Sequence, residues 1–176
     1  MQAPFEHLVT AHGRTVLRVA RALAGPDDAD DVWSETFLAA LRAYPELPET
    51  ANTEAWLVTI AHRKAIDALR ARGRRPVPVE PGASLRCGHG GQLAAAGAHG
   101  DPGGRADALD LYDALARLPA KQRRAVALHH LGGLPHAQVA EQLGGTAVAA
   151  RRAAADGVAA LRRHLAVPEG GRNDRR

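Results

Sequence analysis

Residues 135–163, PHAQVAEQLGGTAVAARRAAADGVAALRR, decide how the chain is read. Pro135 opens a short helix with Val139, Ala140 and Leu143 on its inner side. Gly144 and Gly145 make a turn, Thr146 supplies a hydroxyl cap, and a longer helix follows with Ala150, Ala154, Gly157, Leu161 and Leu165 on one face. The exposed face of that helix carries Arg151 and Arg152. This is helix-turn-helix spacing. A turn of small residues lets two helices cross closely, and arginines near the start of the second helix enter a major groove. Placed there, Arg151 and Arg152 reach guanine edges or phosphates, and the free amides at Thr146 offer a phosphate site. A plain helical hairpin with two solvated arginines satisfies the same spacing.

Working back from this stretch, residues 120–131 form a helix that stops at Gly132-Gly133, and Pro119 suits its first turn. Asp107 caps a helix lined by Ala108, Leu111, Tyr112 and Leu115. Four helices therefore occupy 107–167, with a disordered tail expected over 168–176. Residues 76–106 are rich in Gly and Pro, show no sustained amphipathic period, and are expected to be a flexible linker. The first half, 1–75, carries three helices. Phe5, Leu8, Val9, Val16, Val19, Ala20 and Leu23 line the first, which Gly25-Pro26 ends. Asp27 or Asp28 caps the second, whose face is Val32, Trp33, Thr36, Phe37, Ala40, Leu41 and Tyr44 as far as Pro45. Asn52 or Thr53 starts the third, through Trp56, Leu57, Ile60, Ala61, Ala65, Ala68 and Leu69 to about Gly73. No strand-like alternation appears, so the expected fold is all-α, in two small helical domains.

Composition agrees. Apolar residues make up 45% of the 176 and aromatics only 3%, so the core must be Ala, Leu and Val packed between helices. The formal charge of +4 and pI near 10.0 are carried by arginine, since Lys64 and Lys121 are the only lysines. Arginine contacts phosphate and guanine in a planar, bidentate way, so this balance leans towards nucleic acid. The single cysteine, Cys87, excludes an intramolecular disulfide and fits a reducing compartment. With no signal-peptide pattern and no apolar run of spanning length, the expected location is cytoplasmic and nucleoid-associated, without membrane insertion.

Charge is distributed unevenly within the first half. Asp27, Asp28, Asp30, Asp31, Glu35, Glu46, Glu49 and Glu54 crowd the second helix and the loop after it, whereas Arg63, Lys64, Arg70, Arg72, Arg74 and Arg75 crowd the third. The basic edge attracts phosphate through counterion release, and the acidic helix suits a basic protein partner. Ordinary solvated faces, with acids favouring a helix N-terminus, account for the same pattern.

The runs DADDVWSETFLAALRAY, NTEAWLVTIAHRKAIDALRARGRR and LPAKQRRAVALHHLGGLPHAQVAEQLG resemble the extracytoplasmic-function group of RNA polymerase sigma factors, of the sigma-70 family. The resemblance covers nearly the whole chain apart from linker and tail, in the family's order and spacing. It implies a chain that binds core RNA polymerase and directs promoter-specific initiation. Asp28, Asp31, Val32, Glu35, Thr36 and Phe37 then lie in the helix that docks on the clamp coiled coil of the largest subunit, and the second domain meets the flap of the second-largest. Asn52, Thr53, Trp56, His62, Arg63, Lys64 and Arg70 fall in the element that melts and reads the minus-ten sequence, although Trp56 in a W-L-x-x-I-A pattern is more often core. Thr146, Arg151 and Arg152 fall where the family reads the minus-thirty-five element. An anti-sigma partner is a further implied possibility.

The chain departs from the family in places. Ala149, Ala150, Arg151, Arg152 and Ala153 stand where Thr-Val-Lys-Ser-Arg is usual, and Asp156 where a basic residue is common. Gly157 interrupts the helix at a cost of about 1 kcal/mol relative to Ala. His129, His130 and His136 replace the family's Arg or Tyr, with surface or packing roles expected. Cys87, His89 and His99 lack a fourth ligand for a metal site, and no catalytic constellation has a convincing context, so no cofactor, no metal and no enzyme are expected. Two other readings remain at this point. A stand-alone helix-turn-helix regulator needs neither the acidic helix nor the RARGRR edge, and a sequestering interaction protein needs no DNA-reading helix.

Overall fold

The computed structural model describes residues 4–74 and 102–166, and every regular element among them is helical. The candidates Cys87, His89 and His99 lie outside the described residues, as does the tail from residue 167. Helix α1 spans Phe5–Ala24 and α2 spans Pro26–Ala43. They meet at Gly25, whose φ of 89° is open to glycine, and whose amide donates to the Arg21 carbonyl at 3.0 Å. Pro26 then takes the first helical position, where no amide is needed. Gly25 is therefore the N-cap of α2. Asp27 and Asp28, expected as caps, sit inside the first turn, where their charges favour the helix dipole. A turn of 3-10 helix at Tyr44–Glu46 closes α2 around Pro45. Helix α3, Thr53–Arg74, starts at the expected cap, with Asn52 Oδ1 accepting from the Ala55 amide at 3.0 Å.

These three helices pack pairwise around Val16, Val19, Ala20, Leu23, Val32, Phe37, Ala40, Leu57, Ala61 and Ala65, all nearly excluded from water. Four of the six aromatics, Phe5, Trp33, Phe37 and Tyr44, gather in one cluster. Trp33 and Phe37 rings lie 4.7 Å apart, Phe5 meets Phe37 edge-on at 6.3 Å, and Trp33 Nε1 donates to the Gly13 carbonyl at 3.0 Å. Leu41, expected to face inward, is half exposed, because α2 turns its inner stripe through residues 29, 32, 36, 37 and 40.

Helix α4 spans Pro102–Ala116, starting five residues before the expected Asp107 cap. Helix α5, Ala120–Val126, follows Pro119, which stands at the N-cap and not in the first turn. The expected single helix through residue 131 changes register there. Ala127–Leu131 is a π-helical turn, with the Gly132 amide bonded to the Ala127 carbonyl at 2.9 Å. Helix α6, His136–Leu143, and α7, Ala147–Leu165, are joined by Gly144 and Gly145, both at positive φ. Thr146 caps α7 as expected, its Oγ1 accepting from the Ala149 amide at 3.2 Å. Leu165 is half exposed in the last turn, beyond the reach of α5 and α6.

The two halves touch. Helix α1 packs on α4, α5 and the π turn, and the buried residues of both halves make one continuous cluster. On α3 a second buried stripe, Val58 and His62, faces the other half. A Cβ built on Gly132 would stand 2.7 Å from Val58 Cγ1 and 2.9 Å from the Leu128 carbonyl, so only glycine fits there. Gly157 has the same role between α5 and α7: its Cβ would lie 2.6 Å from Val126 Cγ2. The helix-propensity cost at 157 is thus offset by close packing. We expect Gly157→Ala to destabilise the chain by about 1–3 kcal/mol in urea unfolding, against its propensity gain. Val126→Ala in that background should recover part of the loss; a stabilised single variant would contradict the packing account.

Candidate functional site

Three surfaces collect the residues singled out in the sequence. The first is the outer face of α2. Asp31 and Glu35 are exposed there, and Asp28 is half-buried. Val32, Thr36 and Phe37, expected on the same docking surface, point the other way: Val32 is 2% exposed, Thr36 0% and Phe37 6%. The Thr36 hydroxyl donates to the Val32 carbonyl at 2.6 Å, the normal way to satisfy a buried hydroxyl on a helix. A 3.6-residue repeat separates the two sets, because 32, 36 and 40 fall on one side and 31, 35, 38 and 42 on the other. Leu38 continues the exposed stripe at 49% and Leu41 borders it at 51%. Sequence reasoning missed Leu38. Its position outside the inner stripe, next to Phe37, was the available signal.

The second surface is α3, and here the acidic and basic sets meet. Lys64 Nζ lies 3.2 Å from Glu35 Oε2, and Arg72 pairs with Asp28 across a cleft of about 210 Å³ that Asp31 also lines. Such solvent-exposed pairs contribute roughly 0–1 kcal/mol each, so an incoming basic protein surface or phosphate can displace them at little cost. Asn52 and Arg63 are exposed, and Arg70 is exposed with its guanidinium 3.9 Å from Asp67. Thr53 is half-buried in the first turn of α3. Trp56 is half-buried and packs against the core, leaving only part of its ring outward.

His62 departs from its expected place among the DNA-facing residues. It is 5% exposed at the junction, with neither ring nitrogen in a well-formed hydrogen bond, although the Gln142 side chain lies against it. Burial holds its pKa below the usual imidazole value; Gln142 opposes this, and the charges of Arg124 and Arg63 add to it. Its spacing from Val58 and Ala65 on α3 was the available signal, although the residues that cover the ring come from α5 and α6.

The third surface is the unit of α6, the glycine turn and α7. Thr146, Arg151 and Arg152 all stand exposed on the N-terminal half of α7, and the side chain of Arg152 is 85% exposed and 3.9 Å from Asp156. Val148, 77% exposed in the first turn, was not singled out in the sequence. An apolar side chain beside two arginines suits a thymine methyl next to guanine edges. On the other side Ala150, Ala153, Ala154 and Gly157 bury against α5 and α6. The short inner side chains hold α7 close, and its outer face projects as a rigid ridge. Among the described residues no group of three or more His, Cys, Asp or Glu is placed to hold a metal ion, and no helix is long and apolar enough to cross a membrane.

Comparison with known proteins points the same way. Residues 8–75 match Sigma-70 region 2, and residues 108–161 match Sigma-70, region 4. The ECF RNA polymerase sigma factor SigK of Mycolicibacterium vanbaalenii is 29% identical over 159 residues, covering 85% of this chain and 74% of that protein. SigC of Mycobacterium tuberculosis, also an ECF RNA polymerase sigma factor, is 28% identical over 139 residues, covering 79% and 71%. Among solved structures, CnrH in complex with the cytosolic domain of CnrY superposes with a TM-score of 0.62 at 23% identity, over 92% of this chain and 86% of that one. RpoE from Bartonella quintana, in complex with the anti-sigma factor NepR, gives 0.66 at 20% identity, over 93% and 98%.

The lowered pKa of His62 has a definite sign. The unfolded chain binds the proton more tightly than the folded one, so stability is full well above pH 6.5 and falls as pH drops through and below that value. The urea midpoint should therefore decline between about pH 7.5 and pH 5.5, and the decline should be shallower in His62→Leu. An unchanged slope in that variant would remove His62 from the account.

Proposed function

The chain belongs to the sigma-70 family of RNA polymerase sigma factors, in its extracytoplasmic-function group, and from that membership we propose how its surfaces divide the work. As a sigma factor it binds core RNA polymerase and directs promoter-specific initiation of transcription. The docking surface is the exposed stripe of α2, Asp31, Glu35 and Leu38 bordered by Leu41, held in shape by Val32, Thr36 and Phe37 beneath it. Carboxylates beside exposed leucine offer a basic, partly apolar coiled-coil surface both charge complementarity and an apolar anchor. Asn52, Arg63, Lys64 and Arg70, with the outward part of Trp56, face the minus-ten element. Extruding bases there costs a few kcal/mol, offset by stacking and backbone contacts.

The observation that carries the reading is the projecting first half of α7. Thr146 and its neighbouring amides sit at the helix N-terminus, and Val148, Arg151 and Arg152 stand outward on the next turns, as a helix entering a major groove requires. These residues read the minus-thirty-five element. We assign the first working unit to residues 1–75 and the second to 107–167, the flap of the second-largest polymerase subunit meeting the second. The segment between α3 and α4 acts as a tether between two individually weak DNA contacts, effective once polymerase holds both units in register. The protein works by binding and positioning, without catalysis of its own, on DNA in the nucleoid. An anti-sigma protein is a further partner, a reading supported by the complex of RpoE with the anti-sigma factor NepR.

Run-off transcription with purified core polymerase, with and without the chain, tests this: a promoter-specific transcript should appear only with it. Asp31→Lys with Leu38→Glu, neither in the core, should weaken association with core polymerase by more than about 1 kcal/mol while circular dichroism stays unchanged. Arg151→Ala with Arg152→Ala should weaken upstream recognition by about 1–3 kcal/mol for each base-reading contact. Unaltered promoter preference in that double variant would move the reading helix elsewhere.

A further inference from the structure

A pocket of about 300 Å³ opens between the π turn, the start of α6 and the outer flank of α7. Its ionisable lining is His129 and His130 from the π turn, His136 from α6, and Arg151 and Arg162 from α7, with alanines and Val158 as the floor. Each group facing it from these elements is a cation or becomes one on protonation, and no carboxylate lines it. The His129 and His136 rings are stacked with centroids 3.9 Å apart, and His130 meets His129 edge-on at 4.7 Å. Three imidazoles and two guanidiniums lining one pocket oppose each other's charge, an arrangement that an anion between them relieves.

The hydrogen bonding sets which protons are available. His129 Nδ1 lies 2.7 Å from the Leu134 carbonyl, an acceptor only, so Nδ1 carries the proton and the neutral ring presents a bare Nε2 elsewhere. His136 Nδ1 is closed off from solvent without a hydrogen-bond partner. In the free chain burial, then the neighbouring charges, hold His130 and His136 below the usual imidazole value: His129 for the former, and His129, Arg151 and His130 for the latter. Both rings are therefore neutral near pH 7 and have proton capacity to fill.

We propose that this pocket, walled by His129, is a phosphate-binding site in which His130 and His136 take up protons as the anion enters beside Arg151, making contact with the phosphate proton-linked. The inference rests on the reading of α7 as a DNA-contacting helix. Arg151 belongs both to the pocket wall and to the outer face of that helix, so a strand whose groove receives the first half of α7 passes the pocket mouth. The source of the phosphate is accordingly a backbone phosphodiester, with free inorganic phosphate as the alternative carrying the same chemistry.

Calorimetry of the full chain with a random-sequence duplex, in two buffers of different ionisation enthalpy near pH 7, reads the protons absorbed directly. Net uptake is expected, with duplex affinity rising up to about tenfold per unit fall in pH for each proton taken up. Inorganic phosphate, titrated while the imidazole nitrogens are followed by NMR, separates the two sources. Shifts with phosphate but no uptake with duplex would make it a small-anion site. His136→Arg should keep duplex affinity near pH 7 while flattening its pH dependence, and His130→Gln with His136→Gln should lower both. No uptake with duplex together with no imidazole response to phosphate would overturn the proposal. Run-off transcription near pH 8, where His130 and His136 are neutral, keeps the functional reading separate: activity there alongside a silent pocket sinks only the pocket.

Discussion

Close approach of small side chains governs this molecule. With few aromatics and a core of Ala, Val and Leu, helices exclude water only if their axes come near enough for short side chains to interlock. Gly157 beneath Val126 and Gly132 beneath Val58 are the tightest of these meetings, and each would be spoiled by one methyl group. The rest follows from them. Because α5 and α7 are locked at short range, the glycine turn after α6 can hold α7 out as a stiff ridge. The ridge matters to the role proposed for α7, since side chains that read base edges must be presented in fixed geometry before DNA arrives.

The helices themselves were readable in the chain from periodicity and punctuation. Asn52 and Thr146 proved to be the caps that their positions suggested, and the Gly144-Gly145 turn falls between the helices it was expected to join. The errors have physical origins. Asp27 and Asp28 look like caps, but Gly25 with a positive φ and Pro26 after it start the helix earlier. Ala127–Leu131 looks like a plain helix, because a π turn changes only which carbonyl each amide meets and leaves no mark on composition.

The surfaces were less legible than the elements. Val32, Thr36 and Phe37 belong to the same helix as Asp31 and Glu35, and family resemblance groups them together, yet a rotation of about 100° per residue puts them on opposite sides. His62 keeps the spacing of a buried stripe on α3, yet the residues that hide it lie far along the chain, which local pattern does not report. The acidic and basic sets seemed separate in sequence, although α2 and α3 pack together and bring Glu35 to Lys64 and Asp28 to Arg72. Each of the two proposed binding faces therefore starts partly neutralised by the other.

The contact between Val58 and Gly132 is a knob from one half seated in a socket on the other. Gly132 serves both halves, since its amide closes the π turn on the Ala127 carbonyl while its missing side chain leaves room for Val58. A hybrid that joined the first half of this chain to a second half with a larger residue in place of Gly132 would carry a knob without its socket, and the seam between the halves would have to open to admit it.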